Sequence, residues 1–163
     1  MISIAFAALA ITLPPPASDD LACIVEQVPL ALRLEAIQEA TSAASGPVQR
    51  RLVAIGLDCA RRRNWTSAYA ANTTMFAVAT LLRGDGRDIL QREGIPIDVV
   101  DRWLDRRFGA GGLERDSLAL ARELSADLEQ GGSPATLLDA NLRVLAIYVM
   151  ASQELIRQAA QAD

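Results

Sequence analysis

Histidine and lysine are both absent from this 163-residue chain, and its 16 basic residues are all arginine. Histidine is the side chain most often used for proton transfer near neutral pH and for binding transition metals. Its absence excludes a Ser-His-Asp triad, a Cys-His pair and a histidine metal site, and the absence of lysine excludes a Schiff base. A carboxylate-only mechanism of the glycosidase type is the enzymatic class that remains. We predict no catalytic residue, no metal site and no cofactor, and an enzyme is the less favoured interpretation.

Aromatic residues are also scarce, at 4% of the chain. No stretch alternates polar and apolar residues for long enough to predict a sheet, whereas Ala, Leu, Arg and Glu dominate and favour helix nearly throughout. We therefore expect an all-α fold, a single-domain bundle of about six to seven helices after an N-terminal signal segment. The uncharged helix 64–82, whose Asn, Ser and Thr residues make it too polar for a lipid span, and the apolar run 144–151 should be its two central elements.

Apolar runs long enough to cross a membrane are missing as well. The N-terminal apolar segment, residues 2–13, is shorter than the roughly 20 residues that a spanning helix needs, and Pro14, Pro15 and Pro16 follow it. This pattern is typical of a secretory signal peptide. We assign residues 1–18 to a signal peptide and residues 19–163 to the helical domain, and predict export to the periplasm or the exterior. The alternative is the buried first helix of a cytosolic protein.

Cysteine occurs twice, at Cys23 and Cys59. An even number in a chain predicted to reach an oxidising compartment favours one disulfide, which would tie the first helix after the signal to the third. The more specific alternative to a disulfide is that one of the two cysteines is a catalytic thiol. The arginines that follow Cys59 could lower the pKa of its thiol, but no histidine is present to activate it.

Helix boundaries follow from the positions of proline, glycine and capping residues. We expect Pro47 to begin a helix that reaches Arg63, and Asn64 to cap the next helix. That helix should stop at Arg83-Gly84-Asp85-Gly86, and Gly94 should close a shorter one. Further helices are predicted at 18–28, 29–44, 96–108, 113–130 and 134–160. The glycines at 109–112 predict a flexible joint.

One stripe of the 64–82 helix combines aromatic and polar residues at helical spacing: Trp65, Tyr69, Asn72, Phe76 and Arg83. An aromatic wall with an amide in its middle and a guanidinium at its end could hold a small ligand. The alternative is that the aromatic residues are ordinary core and that Asn72 bonds a neighbouring helix.

Three carboxylates, Asp98, Asp101 and Asp105, share one face of the 96–108 helix. They could bind a hard cation such as calcium or supply an acid and a base for hydrolysis. We favour a solvated face with ion pairs, because Asp98 can pair with Arg102 and Asp101 with Arg106.

Two groups of residues are candidates for an interface. Arg61, Arg62 and Arg63 close the third helix, where cations complement the helix dipole, and arginine is enriched at interface hot spots. Trp103 and Phe108, beside the glycine-rich segment, are candidates for an exposed anchor. Ordinary core packing is the alternative for both aromatic residues.

The net charge of −4 makes this chain a poor general binder of nucleic acid or of anionic membrane. We predict no nucleic-acid partner and no stable membrane span in the mature chain. The favoured hypothesis is an exported protein that binds another protein, or its own copy, in the cell envelope. The alternatives are a small-ligand carrier or a carboxylate-dependent hydrolase acting on envelope material, and a purely structural subunit.

Overall fold

A computed structural model describes residues 16–39, 46–108, 116–130 and 139–162. Within these ranges the chain forms seven α-helices packed as a single bundle: α1 (Ser18–Val25), α2 (Leu30–Glu39), α3 (Pro47–Arg63), α4 (Ser67–Arg92), α5 (Ile97–Phe108), α6 (Ser117–Gln130) and α7 (Asp139–Ala162). The prediction of an all-α bundle is therefore confirmed. The apolar segment 2–13 and the joint at 109–112 lie outside the described residues.

Helices α4 and α7 form the centre of the bundle. α4 packs against α1, α2, α3, α5 and α7, and α6 packs against α7. Residues 144–149 and Ala151 of α7 are all buried, and Leu145, Tyr148 and Val149 are fully enclosed. The two elements predicted to be central are therefore central.

The predicted stop at residues 83–86 is wrong, because α4 runs through it. The helix has 26 residues, which corresponds to a length of about 39 Å. A glycine inside a helix costs about 0.5–1 kcal/mol relative to alanine, and tertiary contacts offset that cost here. Gly86 is buried against Tyr148 of α7, and Asp85 pairs with Arg33 of α2.

The predicted role of Asn64 is also wrong. Asn64 follows the last residue of α3 in the left-handed conformation, with φ 56° and ψ 39°, and its N–H donates to the carbonyl of Ala60. Asparagine adopts this conformation more readily than most residues do, because its short polar side chain bonds locally. Thr66 caps α4 instead, where its hydroxyl accepts the N–H of Tyr69 at 3.2 Å.

Other helix ends agree with the sequence signals. Pro47 begins α3 and Arg63 ends it, and Gly94 follows α4 with a φ of +79°. α1 ends at Val25, before the predicted 28, and α2 begins at Leu30. The predicted end of the second helix near 44 and the predicted starts near 113 and 134 lie outside the described residues.

Helices α3 and α4 approach each other closely at Gly56 and Thr74. A Cβ atom on Gly56 would overlap the Thr74 side chain, whose hydroxyl donates to the Ala70 carbonyl at 2.7 Å. Glycine is therefore required at this crossing. Among the helices that the structure describes, none is both long and apolar enough to cross a bilayer.

Candidate functional site

A polar cluster lies where α4, α5 and α7 meet, and we call it the α4/α5/α7 junction. It comprises Arg83 of α4, Asp101 of α5, and Tyr148 and Ser152 of α7. The Tyr148 hydroxyl donates to Asp101 Oδ1 at 2.6 Å, and Arg83 Nη2 lies 3.1 Å from the same oxygen. Arg83 Nε donates to Ser152 Oγ at 3.0 Å. The guanidinium carbon also lies 5.5 Å from the Tyr148 ring centroid, within cation–π distance.

The electrostatics of the junction favour a neutral phenol beside a charged guanidinium. Burial, together with the hydrogen bond to Asp101, raises the pKa of Tyr148 to about 12. Burial alone would lower the pKa of Arg83, but Tyr148 and Asp101 outweigh it and raise that pKa. Neither group exchanges a proton near neutral pH, so neither suits general acid–base catalysis there. The arrangement is suited to holding three helices together.

Residues at the two ends of the predicted aromatic stripe make contacts with different parts of the bundle. Tyr69 donates to Asp20 Oδ2 at 2.8 Å and accepts the N–H of Ala17 at 3.2 Å, which fixes the start of α1 on α4. Trp65 packs edge-on against Tyr69, with ring centroids 5.5 Å apart. Arg83 belongs to the α4/α5/α7 junction. Asn72 and Phe76, between these ends, are half-buried.

Trp103 and Phe108 are not an exposed anchor, because both side chains are buried in the core. Their rings form an edge-to-face pair with centroids 6.4 Å apart. The indole N–H of Trp103 donates to Asp127 Oδ2 at 2.8 Å, which links α5 to α6. An amphipathic α5 turns these aromatic residues inward, so the packing alternative is the one that the structure shows.

The acidic face of α5 is only partly as predicted. Asp98 pairs with Arg102 at 3.0 Å, and both side chains are exposed. Asp101 pairs with Arg83 rather than with Arg106, because it faces α4 and α7 at the junction. Within the described ranges, no group of three or more potential ligands is placed to hold a metal ion.

The arginine triplet at the end of α3 is exposed and makes several ion pairs. Arg61 and Arg62 both pair with Asp58, at 3.3 and 3.1 Å, and Arg63 pairs with Asp20 of α1 at 3.1 Å. The three guanidinium groups therefore carry out local helix stabilisation and still present positive charge to solvent.

Cys23 and Cys59 form a disulfide that joins α1 to α3, with their Cα atoms 6.1 Å apart. The predicted pairing is confirmed. Gln27 Nε2 lies 3.0 Å from Cys59 Sγ and 3.6 Å from Cys23 Sγ, and Arg62 Nη2 lies 3.6 Å from each sulfur. Two hydrogen-bond donors thus face the sulfur atoms.

A pocket of about 300 Å³ opens to solvent beside this disulfide. We call it the disulfide pocket, and its lining is Asp19, Ala22, Cys23, Glu26, Gln27, Arg62 and Arg63. Two carboxylates and two guanidinium groups therefore surround it. Its volume is at the small end of the range of pockets that hold small molecules, about 300–1,000 Å³.

Large apolar side chains lie exposed on α3 and α4. Val53 and Leu57, one turn apart on α3, are 47% and 52% exposed, and Met75 of α4 is 52% exposed. Leu57 and Met75 adjoin, in sequence, the Gly56 and Thr74 pair at which the two helices touch. We call Val53, Leu57 and Met75 the α3–α4 face. Leu30 and Leu34 of α2 and Met150 of α7 are exposed elsewhere.

Sequence reasoning missed Tyr148 and Ser152 as members of the junction. Their signal was two hydroxyl residues one turn apart in an otherwise apolar stretch of α7.

Comparison of the chain with protein-family models, with curated proteins and with solved structures found no match.

Proposed function

We propose that this chain is an exported helical protein that acts in the cell envelope by binding another protein through the α3–α4 face. The observation that carries the proposal is the exposure of Val53, Leu57 and Met75, each about half exposed, on two helices in direct contact. Scattered single apolar residues are normal on a protein surface, but large side chains grouped on adjoining helices mark interaction sites. Water-exposed leucine and methionine are stabilised when a partner covers them.

Charge defines the kind of partner. α3 contains five arginines and one aspartate, which sum to +4, whereas the whole chain carries −4. Two of the three residues of the α3–α4 face, Val53 and Leu57, therefore lie on the most basic of the described helices, and Met75 lies on the neighbouring α4. A partner of complementary chemistry presents an apolar helix or loop flanked by carboxylates. A second copy of this chain is the competing occupant.

Several contacts make the surface rigid before it meets a partner. The disulfide fixes α1 to α3, and the Arg63–Asp20 ion pair and the Tyr69–Asp20 hydrogen bond hold the same helices against α4. A surface that is ordered in advance loses less conformational entropy on binding. The disulfide also supports export, because such bonds persist in oxidising compartments, and the apolar segment 2–13 suits a secretory signal.

The small-ligand carrier is less well supported at the aromatic stripe. Tyr69 and Arg83 are engaged by Asp20 and by Asp101, and Trp65 packs on Tyr69. These contacts occupy three of the five side chains that the stripe would offer to a ligand. A carboxylate-dependent hydrolase finds no support in the α5 face, where Asp98 and Asp101 pair with different arginines.

The test is affinity capture from envelope extract, using the full chain with a C-terminal tag. Wild type, L57E and M150E are compared side by side, because Leu57 and Met150 are both exposed apolar residues but lie on different helices. We expect a partner at stoichiometric level with wild type and M150E, lost with L57E and weakened by added salt. Circular dichroism checks that each variant is folded.

Three results would contradict the proposal. The first is that no partner is retained, the second that L57E retains it as well as wild type does, and the third that only further copies of this chain are captured. The last result assigns the α3–α4 face to self-association, which light scattering on the purified protein measures independently.

The disulfide has its own test, which is alkylation of exported material under denaturing, non-reducing conditions. Because both sulfur atoms are in the disulfide, we expect neither cysteine to be labelled.

A further inference from the structure

The two sulfur atoms of the disulfide differ in their surroundings. Cys23 is half-buried and lines the disulfide pocket, whereas Cys59 is fully buried in the core. A reagent that enters the pocket therefore meets Cys23, whereas Cys59 has no exposed surface. In thiol–disulfide exchange, the sulfur that is attacked and the sulfur that leaves are different atoms, so this asymmetry sets the direction of the reaction.

The leaving sulfur has the closer amide donor of the two. Burial on its own disfavours a thiolate at Cys59. Gln27 Nε2 lies 3.0 Å from Cys59 Sγ and 3.6 Å from Cys23 Sγ, whereas Arg62 Nη2 lies 3.6 Å from both sulfur atoms. An amide N–H and a cation both stabilise a thiolate, which counters the cost of burial and makes Cys59 a competent leaving group.

The pocket also limits which thiols fit well. It presents both signs of charge, from the carboxylates of Asp19 and Glu26 and from the guanidinium groups of Arg62 and Arg63, which also pair with Asp58 and Asp20 outside the lining. A small thiol that carries both an ammonium and a carboxylate complements this lining, whereas an uncharged thiol does not. Cysteine carries one ammonium and one carboxylate, and glutathione carries one ammonium and two carboxylates.

We propose that the disulfide pocket is a site for thiol–disulfide exchange with a small zwitterionic thiol, which attacks Cys23 and releases Cys59. The incoming thiolate forms a bond to Cys23 Sγ as the Cys23–Cys59 bond breaks, and the electron pair leaves on Cys59 Sγ, which then takes a proton from water. A second thiol attacks the mixed disulfide, which yields two protein thiols and one small-molecule disulfide. The protein gains two electrons and two protons, and the two small thiols lose them.

This activity goes beyond the proposed binding function and uses a different surface, because the α3–α4 face shares no residue with the pocket. Failure of one therefore leaves the other standing. The link between them is α3, which carries Cys59, Arg62 and the exposed Val53 and Leu57.

The experiment incubates the folded full-length protein with reduced glutathione, stops the reaction with acid, alkylates free thiols and maps the products by mass spectrometry. We expect glutathione on Cys23 and an alkylated Cys59, formed faster than the protein unfolds. Glutathione adducts on Cys59, or adducts that form only at the rate of global unfolding, would overturn the proposal. The unfolding rate is measured in parallel by dilution into denaturant and extrapolation to water.

Matched variants test the donors. R62M should slow formation of the Cys23 adduct by about tenfold, the size expected when a charge-assisted hydrogen bond to a developing anion is lost. R61M is the control, because Arg61 also pairs with Asp58 but has no contact with either sulfur among the bonds described. Equal rates for R62M and R61M would overturn the role of Arg62.

Binding of the thiol in the pocket is tested by how the reaction rate depends on thiol concentration. With glutathione, the rate should saturate as its concentration rises, because the thiol first binds in the pocket. With 2-mercaptoethanol at matched thiolate concentration, the rate should rise linearly. Linear dependence on glutathione would overturn the assignment to a zwitterionic thiol.

Discussion

The phenolic hydroxyl of Tyr148 donates a 2.6 Å hydrogen bond to Asp101 Oδ1, which connects the central helix α7 to α5. Arg83 of α4 binds the same carboxylate oxygen, so one acceptor serves two donors from two helices. Hydrogen bonds to a charged group are stronger than neutral ones, and a buried donor without a partner is costly. The junction therefore couples α4, α5 and α7 through a single carboxylate.

Tyr148 should keep its proton to high pH. Both cysteines are paired, so no thiolate absorbs in the same region and the two tyrosines can be followed by phenolate absorbance. In Y69F, phenolate absorbance reports Tyr148 alone, and its pKa should lie near 12 rather than 10 while helical circular dichroism persists. A phenolate signal near pH 10 in the folded protein would contradict this.

The same shift makes stability fall with rising pH. The pKa of Tyr148 is raised in the folded state from its ordinary 10.0 to about 12, so above pH 10 the unfolded chain loses this proton first. Its contribution to stability is therefore complete below pH 10 and is lost as pH rises through 12. Urea unfolding of Y148F over this range should show a smaller fall than wild type does.

Glycine at position 56 should be required, and glycine at position 84 should not. G56A forces a methyl group onto Thr74, and we expect a loss of about 1–3 kcal/mol in the free energy of unfolding. Gly84 lies on exposed α4 surface with open space around its Cα, so G84A should stabilise by about 0.4–1 kcal/mol.

A double variant separates the clash at Gly56 from other effects. T74A removes the hydroxyl and methyl groups that the new Cβ meets and leaves the Cβ of residue 74 at 2.9 Å. G56A/T74A should therefore be more stable than the sum of the two single changes predicts. Chemical denaturation of the four proteins measures this. Simple additivity would show that the contact between Gly56 and Thr74 is not the cause.

Replacing one partner of the Arg33–Asp85 ion pair should lower the free energy of unfolding more than replacing both. The two groups lie 3.2 Å apart between α2 and α4, and both are largely shielded from solvent. Burial raises the pKa of Asp85, and Arg33 opposes that change. R33M leaves a shielded carboxylate without its cation and should cost about 1–3 kcal/mol of stability.

Removing both charges should recover most of that loss. R33M/D85M replaces the pair with apolar side chains that match the surrounding core, and such replacements are commonly neutral or stabilising. Thermal and urea unfolding of wild type, R33M and R33M/D85M provide the comparison. A double variant less stable than R33M would contradict this account of the ion pair.

Local sequence rules correctly predicted the features that depend on residues close to one another in the chain. Pro47 and Gly94 mark helix ends through their own backbone preferences, and Asp98 pairs with Arg102 one turn away. The pairing of Cys23 with Cys59 followed from there being only two cysteines. These features need no knowledge of the tertiary fold.

The same rules failed where a contact joins residues that are far apart in the chain. Asp101 bonds Arg83 and Tyr148, which are 18 and 47 residues away in the chain. The stop predicted at Gly84 and Gly86 was wrong because α7 packs on α4 at Gly86. The prediction of Trp103 as an exposed anchor is wrong, because its side chain bonds Asp127 of α6 and is buried in the core. Helix packing, and not local preference, determines each of these.

The most direct test of binding through the α3–α4 face is the dissociation constant of the purified partner for wild type, L57E and M150E. We expect L57E to weaken binding by at least about thirtyfold, since burying an unpaired carboxylate in an apolar contact costs about 2 kcal/mol or more. M150E should bind within about threefold of wild type, which corresponds to less than about 1 kcal/mol. Equal affinities for wild type and L57E would contradict the proposed function.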